Sequence, residues 1–314
     1  MQLTKPQFWN NKKPNFISYL LKPFTLPILI NNLIIDNSNK LKFQRIKSIC
    51  VGNIYIGGTG KTPTALKLYK IIKKFSSSVV TAKKFHKSHL DEINLLKNSS
   101  NFITASNRKK IFEKAINQKY KYLIFDDGLQ DKNVDYNIKI VCFNAKQWTG
   151  NGELIPSGPL REKIKNLKKY DIVFINNQNK KNDNFTKIVK KNNPKIHIFN
   201  TYYNIVNIHK FNLKKKYFVF SGIGNPENFD DLLKSYKFRI LKHSVFPDHY
   251  SYNKSEYLKI IKIAKNLKCK ILTTEKDYIK IPKVLKKKID FIKIDLMIQN
   301  EKKLIKILKS KLNE

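Results

Sequence analysis

From about residue 46 onward, short uninterrupted apolar runs alternate with stretches whose apolar residues recur at helical spacing. Ile49-Cys50-Val51 has no polar break, the pattern of a strand covered on both faces. Residues 62–74 follow with helical spacing. Val79-Val80-Thr81 reads as a short strand, residues 109–119 as a helix, and Tyr122-Leu123-Ile124-Phe125 as a buried strand. Ile140-Val141-Cys142-Phe143 and Ile172-Val173-Phe174-Ile175 are two more. Strands this short, set between helices, predict an α/β fold with a parallel sheet and flanking helices. Residues 177–195 are a polar Asn/Lys stretch expected at the surface. Near residue 205 the pattern restarts. Tyr217-Phe218-Val219-Phe220 is a strand, a helix follows Pro226, and Lys270-Ile271-Leu272-Thr273 is another strand. Asn253, with Glu256 three residues later, predicts a capping box that opens a helix running to residue 265. The expected organisation is an N-terminal arm over 1–45, a larger α/β domain over 46–205 and a smaller α/β domain over 206–314.

The arm has its own pattern. Residues 16–35 read FISYLLKPFTLPILINNLII, of which the uncharged run 23–35 is 13 residues long. A spanning helix needs about 20. Two readings fit: a membrane-surface segment flanked by Lys12, Lys13, Lys22, Lys40 and Lys42, or a helix packed on the core. Pro23 and Pro27 break the stretch, so it does not read as a signal peptide.

Composition adds a formal charge of +40. All but four of the basic residues are lysine, the exceptions being Arg45, Arg108, Arg161 and Arg239. Lys, Asn and Ile are the residues an A/T-rich genome favours, so part of this charge is a solvated lysine coat. A basic surface also attracts polyanions, whether nucleic acid or an anionic membrane. With 41% hydrophobic residues the chain can bury real cores, which excludes a disordered basic tail. Cys50, Cys142 and Cys269 are too widely spaced for a CxxC motif, and they point to a reducing compartment.

In this composition the ten glycines are informative, because they fall in a few islands. Gly57-Gly58-Thr59-Gly60-Lys61-Thr62 follows a strand and precedes a helix, the setting in which backbone N–H groups cradle phosphates. Lys61 would reach the terminal phosphates and Thr62 would hold Mg²⁺; the loop as a whole runs from Tyr55 and Ile56 through Thr62. The strict pattern has Gly where Tyr55 stands. Asp126-Asp127 ends a strand, where P-loop enzymes place a carboxylate for Mg²⁺. Adjacent residues of a strand point differently, so only one of the two need face the metal. A third segment, residues 154–162, carries Arg161 and Glu162. A fourth, Phe246-Pro247-Asp248-His249-Tyr250, carries His249. Nothing marks an obligate protein partner or a recognised nucleic-acid module.

Taken in order, GGTGKTP, DDGLQ, IPSGPLRE, SGIGNPENF, FPDHY and TTEKD resemble the tetraacyldisaccharide 4′-kinase family of lipid A biosynthesis, over residues 8 to 282. The resemblance implies a P-loop NTPase-type sheet with a smaller C-terminal α/β domain closing the active-site cleft. It implies transfer of the ATP γ-phosphate to the 4′-hydroxyl of a lipid A disaccharide 1-phosphate, with ATP and Mg²⁺ as cofactors. The implied partners are an anionic glycolipid substrate and, through the arm, the cytoplasmic face of the bacterial inner membrane; no nucleic acid is expected. Carried over residue by residue, Lys61 and Thr62 fall on the ATP and Mg²⁺ residues, Asp126 and Asp127 on the acidic pair, and Arg161 and Glu162 on a required Arg-Glu. His249 falls on a histidine that works with an Asp from a GDE-like segment. The matching segment here is Leu90-Asp91-Glu92, which makes Asp91 the candidate base, and chain order leaves Asp91 and Asp127 both open as proton acceptor. The chain departs from the family where an RGYG-like stretch is replaced by Ala82-Lys83-Lys84-Phe85-His86. The P-loop also admits two other readings, an ATPase acting on nucleic acid and a nucleotide switch.

Overall fold

The computed structural model describes residues 5–177, 183–248 and 250–312. After the arm helices α1 (Phe16–Leu21) and α2 (Leu26–Asn37), the chain runs β1 (Lys47–Gly52), α3 (Lys61–Lys73), β2 (Val79–Lys84), α4 (Leu90–Ser99), β3 (Phe102–Ala105), α5 (Arg108–Asn117), β4 (Tyr122–Asp126), β5 (Ile138–Asn144), β6 (Ile172–Asn176), α6 (Asp183–Asn192) and β7 (His197–Ile205). A second run follows: β8 (Lys216–Ser221), α7 (Pro226–Ser235), β9 (Arg239–Val245), α8 (Lys254–Asn266), β10 (Lys270–Thr274), α9 (Glu275–Ile279), α10 (Lys283–Lys286), β11 (Asp290–Ile292), β12 (Ile294–Ile298) and α11 (Glu301–Leu312).

The larger sheet has the order β12-β7-β6-β5-β1-β4-β2-β3, parallel throughout except for β12 against β7. Alternate residues of its strands feed opposite faces, and both faces are apolar because both are covered. One core gathers Cys50, Phe125, Val141 and Val173 under Ile111 and Phe112 of α5. The other gathers Ile49, Val51, Ile124 and Ile140 under Leu68 and Ile72 of α3. The chain leaves β1 toward β2 and later crosses back from β4 to β5, so the order reverses around β1. Ligands bind at the carboxyl ends of strands at such a switch point. The 57–62 loop and Asp126-Asp127 both lie there.

The smaller sheet is parallel, with order β11-β10-β8-β9. Phe229 and Leu232 of α7 pack on one face and Tyr257 and Ile260 of α8 on the other. The expected capping box is present, with Asn253 Oδ1 accepting from Glu256 N at 2.9 Å and Glu256 Oε2 accepting from Asn253 N at 2.8 Å.

One sequence expectation is corrected. The smaller unit does not run to residue 314. After Lys293 the chain changes sheet, β12 pairs antiparallel with β7, and Leu304, Leu308 and Leu312 of α11 complete the core beneath α3. The described residues of the polar stretch 177–195 are mostly exposed, as expected, and include α6, whose Val189 is buried. The cysteines are free thiols; Cys50 and Cys142 are buried, and burial pushes the Cys142 thiol up to about 12.

The arm is helical from Phe16 to Asn37 and seats itself by polar contacts and by a short apolar side, where Ile28 and Leu29 pack against Tyr55, Leu154 and Leu160 and Ile35 is buried. Ser157 Oγ donates to Ser18 O at 2.6 Å, Asn151 Nδ2 to Ser18 Oγ at 2.9 Å, and Asn32 Nδ2 to Arg161 O at 2.9 Å. Many of its other apolar residues face outward: Phe16 is 81% exposed, Phe24 66%, Leu20 64% and Leu33 60%. Unlike a helix packed on a core, it leaves much of its apolar surface uncovered.

Candidate active site

The phosphate loop is shaped from below by Asn53, whose Nδ2 donates to Tyr55 O at 2.6 Å and to Gly57 O at 3.2 Å. Gly57 and Gly60 hold φ of +112° and +87°, conformations that side chains rarely adopt. Lys61 opens α3, so the first N–H groups of the helix face the loop. Ile56 through Thr62 line a cleft of about 650 Å³ that reaches across to the smaller unit. Tyr55 does not line it; the ring is buried, and its hydroxyl meets Lys5.

The acidic pair divides as expected. Asp126 is fully buried, and its Oδ2 accepts from Thr62 Oγ1 at 2.8 Å and from Lys83 Nζ at 2.8 Å. Its Oδ1 is buried with no hydrogen-bond partner among the described residues. Asp127, at a left-handed φ of +67°, turns toward the cleft. Its Oδ2 lies 3.7 Å from Lys61 Nζ and its Oδ1 lies 3.5 Å from the Arg161 guanidinium. Burial alone would raise its pKa. The surrounding Lys61, Arg161, Lys83 and Arg108 outweigh this and hold the carboxyl well below the usual range.

Arg161 and Glu162 part company. Arg161 lines the cleft, its N bonded to Ile54 O at 2.7 Å. Glu162 is buried away from the cleft. Gln130 Nε2 and Tyr170 OH donate to its Oε1 at 2.7 and 2.8 Å, and Asn166 Nδ2 donates to its Oε2 at 3.0 Å. The structure therefore places Glu162 as a brace for the Arg161 segment rather than beside the phosphate loop.

Asp91 sits in the first turn of α4, buried beneath the cleft lining rather than part of it, with Oδ2 3.5 Å from Lys276 Nζ and 3.2 Å from Lys280 Nζ. Its neighbour Glu92 lines the cleft and reaches Lys83 at 2.8 Å. Lys276 also bonds Asp248 at 3.0 Å. The candidate His249 lies outside the described residues.

Several contributors escape the sequence reading. Arg108 NH2 donates to Asp127 O at 2.9 Å and so pins the acidic turn from behind. As one of four arginines it was detectable by scarcity. Asp277 of TTEKD is fully buried and accepts from Gly222 N at 2.9 Å, which fixes the SGIG loop. That loop presses on the P-loop: an ideal Cβ on Gly224 would fall 2.6 Å from Gly58 N. Lys83 carried no signal, being one lysine in a lysine-rich chain, and Lys276, though inside TTEKD, was not set apart from its neighbours there.

This is a nucleotide-type phosphate loop covered by a second sheet. A family model described as tetraacyldisaccharide-1-P 4′-kinase matches residues 31–313. The chain belongs to this 4′-kinase family. A Pelagibacter ubique (strain HTCC1062) protein named tetraacyldisaccharide 4′-kinase is 45% identical over 318 residues, covering 100% of this chain and 99% of its own length. A Rickettsia akari (strain Hartford) protein of the same name is 33% identical, with 89% of each chain covered. Among solved structures, LpxK from Aquifex aeolicus in complex with ATP is similar with a TM-score of 0.67. It covers 95% of this chain and 100% of that one at 21% identity, a likeness that shows the fold.

Proposed function

We propose that this member of the 4′-kinase family transfers the γ-phosphate of ATP to the 4′-hydroxyl of a tetraacyldisaccharide 1-phosphate, giving lipid IVA. The observation that carries the reading is the corner where Thr62, at the start of α3, meets Asp126 at the end of β4 at 2.8 Å, beneath the phosphate loop. Phosphoryl transfer asks for positioning and charge neutralisation. The N–H groups of Gly58, Gly60, Lys61 and Thr62 cradle the phosphates, Thr59 N being bonded to Gly57 O at 2.9 Å, and Lys61 and Arg161 face them from two sides.

Mg²⁺ fits this corner. The unpartnered Oδ1 of Asp126 and the lone pairs of the Thr62 hydroxyl are hard oxygen donors of the kind it takes. Thr62 and Asp126 would hold it, with Asp127 at hand, and its charge would offset that of the phosphates. Asp127 keeps Lys61 and Arg161 apart and aimed into the cleft until phosphate replaces it as their partner. Asp91 takes the proton of the 4′-hydroxyl, assisted by His249, with Lys276 and Lys280 beside it.

We further infer that the outward apolar side of the 16–37 helix lies in the membrane surface, on the cytoplasmic face of the bacterial inner membrane. Its exposed Phe16, Leu20, Phe24 and Leu33, flanked by lysines, suit an anionic lipid surface.

The test incubates the protein with Mg²⁺, γ-labelled ATP and tetraacyldisaccharide 1-phosphate in detergent micelles, beside Lys61→Ala and Asp91→Asn. Label on the lipid from wild type alone is the expected result. ATP hydrolysis without labelled lipid overturns the acceptor. Full activity in Asp91→Asn overturns the base and moves that role to Asp127.

A further inference from the structure

At the end of β2 the chain places a buried lysine between the two halves of the site. Lys83 lies near the end of β2 with 5% of its side chain exposed. Its ammonium stands 2.8 Å from Asp126 Oδ2 and 2.8 Å from Glu92 Oε2. Those two contacts make it a buried cation shared between two carboxylates. From Glu92 the charges continue across the cleft, with Oε1 3.8 Å from Lys276 Nζ, which in turn lies 3.0 Å from Asp248 Oδ1. Signs alternate along this line from the phosphate loop to the smaller unit.

We propose that Lys83 is a positioning residue: shared between Asp126 and Glu92, it tunes how tightly the Thr62–Asp126 corner holds a divalent cation and locks the first turn of α4 to that corner. The proposal rests on the kinase reading above. Its physical basis is competition for one carboxylate. Lys83 and Thr62 both bind Oδ2, which turns Oδ1 outward as the oxygen left for a cation. The same ammonium opposes any second positive charge brought to Asp126. Glu92 draws part of that ammonium's charge away. Removing Lys83 and removing Glu92 therefore act on cation binding with opposite signs, which a merely structural role would not produce.

The experiment reads cation binding directly, without acceptor lipid. Mn²⁺ serves as the probe, and free Mn²⁺ is followed by electron paramagnetic resonance in the presence of ADP. Lys83→Met, which keeps the stem and loses the charge, is expected to bind Mn²⁺ ~10-fold more tightly. Glu92→Gln, which leaves Lys83 to Asp126 alone, is expected to bind it several-fold more weakly, and Lys83→Arg to stay near wild type. With lipid acceptor, Lys83→Met is expected to lose ~100-fold in kcat with little change in the KM for lipid. Unchanged or weaker Mn²⁺ binding in Lys83→Met, or unchanged binding in Glu92→Gln, overturns the proposal; so does a kcat within twofold of wild type in Lys83→Met. If Lys83→Met does not fold, Glu92→Gln decides alone. If wild type labels no lipid while the Mn²⁺ affinities still shift in opposite directions, the acceptor assignment fails and the cation-tuning role of Lys83 stands.

Discussion

The contact between Gly58 and Gly224 gives a sharp test of whether the two units work pressed together. An ideal Cβ on Gly224 would lie 2.6 Å from Gly58 N and 3.1 Å from Gly58 Cα, both backbone atoms that cannot swing aside. Ordinary contact begins near 3.4 Å, so Gly224→Ala must part the loops by about 0.8 Å. Gly224 is not among the residues of left-handed φ, so alanine brings no backbone strain of its own. Each unit also keeps its own core. Stability should therefore change by less than about 1 kcal/mol, and the cost should fall on alignment across the cleft. A misplacement near 1 Å costs about 100-fold in rate, or ~2.7 kcal/mol of barrier. The assay is kcat/KM for transfer of labelled phosphate to the lipid, beside a thermal melt. A folded Gly224→Ala enzyme within threefold of wild type would refute the reasoning, because the closed contact would then not be the working arrangement.

Three further outcomes follow from particular side chains. Glu162→Ala strands the donors of Gln130, Tyr170 and Asn166, and is expected to cost about 3 kcal/mol of stability while folded protein keeps its ATP affinity; a wild-type melt with lost ATP binding would return Glu162 to the site. Asp127 has a folded pKa below its ordinary 3.8, so its share of stability is complete above about pH 4 and is lost as pH falls through the folded value. The stability gap between wild type and Asp127→Asn should thus be constant from pH 5 to 8 and shrink below pH 4 in acid denaturation. Replacing Leu20, Phe24 and Leu33 together by Ser should weaken flotation with phosphatidylglycerol vesicles by at least ~100-fold and leave the melt unchanged, since these side chains touch solvent; unchanged flotation would remove the arm from the membrane.

Much of the larger sheet was legible because its strands are covered on both faces and therefore read as unbroken apolar runs. Residues 49–51, 122–125 and 172–175 carry that signature. β9 was not legible. It is an edge strand, mostly exposed or half-buried, and its sequence RILKHSV has the composition of the lysine-rich surface. The return of β12 to the larger sheet could not be read either. Lys293 alone separates β11 in one sheet from β12 in the other, and a change of sheet leaves no local mark. Pairing partners are a tertiary property, set here by β7 offering an open antiparallel edge.

The site divides along a similar line. Lys61, Thr62, Asp126 and Asp127 were legible because a phosphate loop is local: its glycines, its strand and its helix are contiguous, and the carboxylates end the neighbouring strand. Adjacency to Arg161 says nothing about where Glu162 points: the two stand in a bend, with Arg161 on the cleft and Glu162 turned toward the core, where Tyr170 and Asn166 meet it. Asp126 and Asp127 part because β4 ends between them and Asp127 takes a left-handed φ of +67°. Lys83 and Lys276 could not be singled out because their meaning lies in what surrounds them: a buried lysine among three carboxylates is a different chemical object from a solvated one. In a chain this rich in lysine, chemistry is marked in the sequence by scarce residues and in the structure by buried common ones.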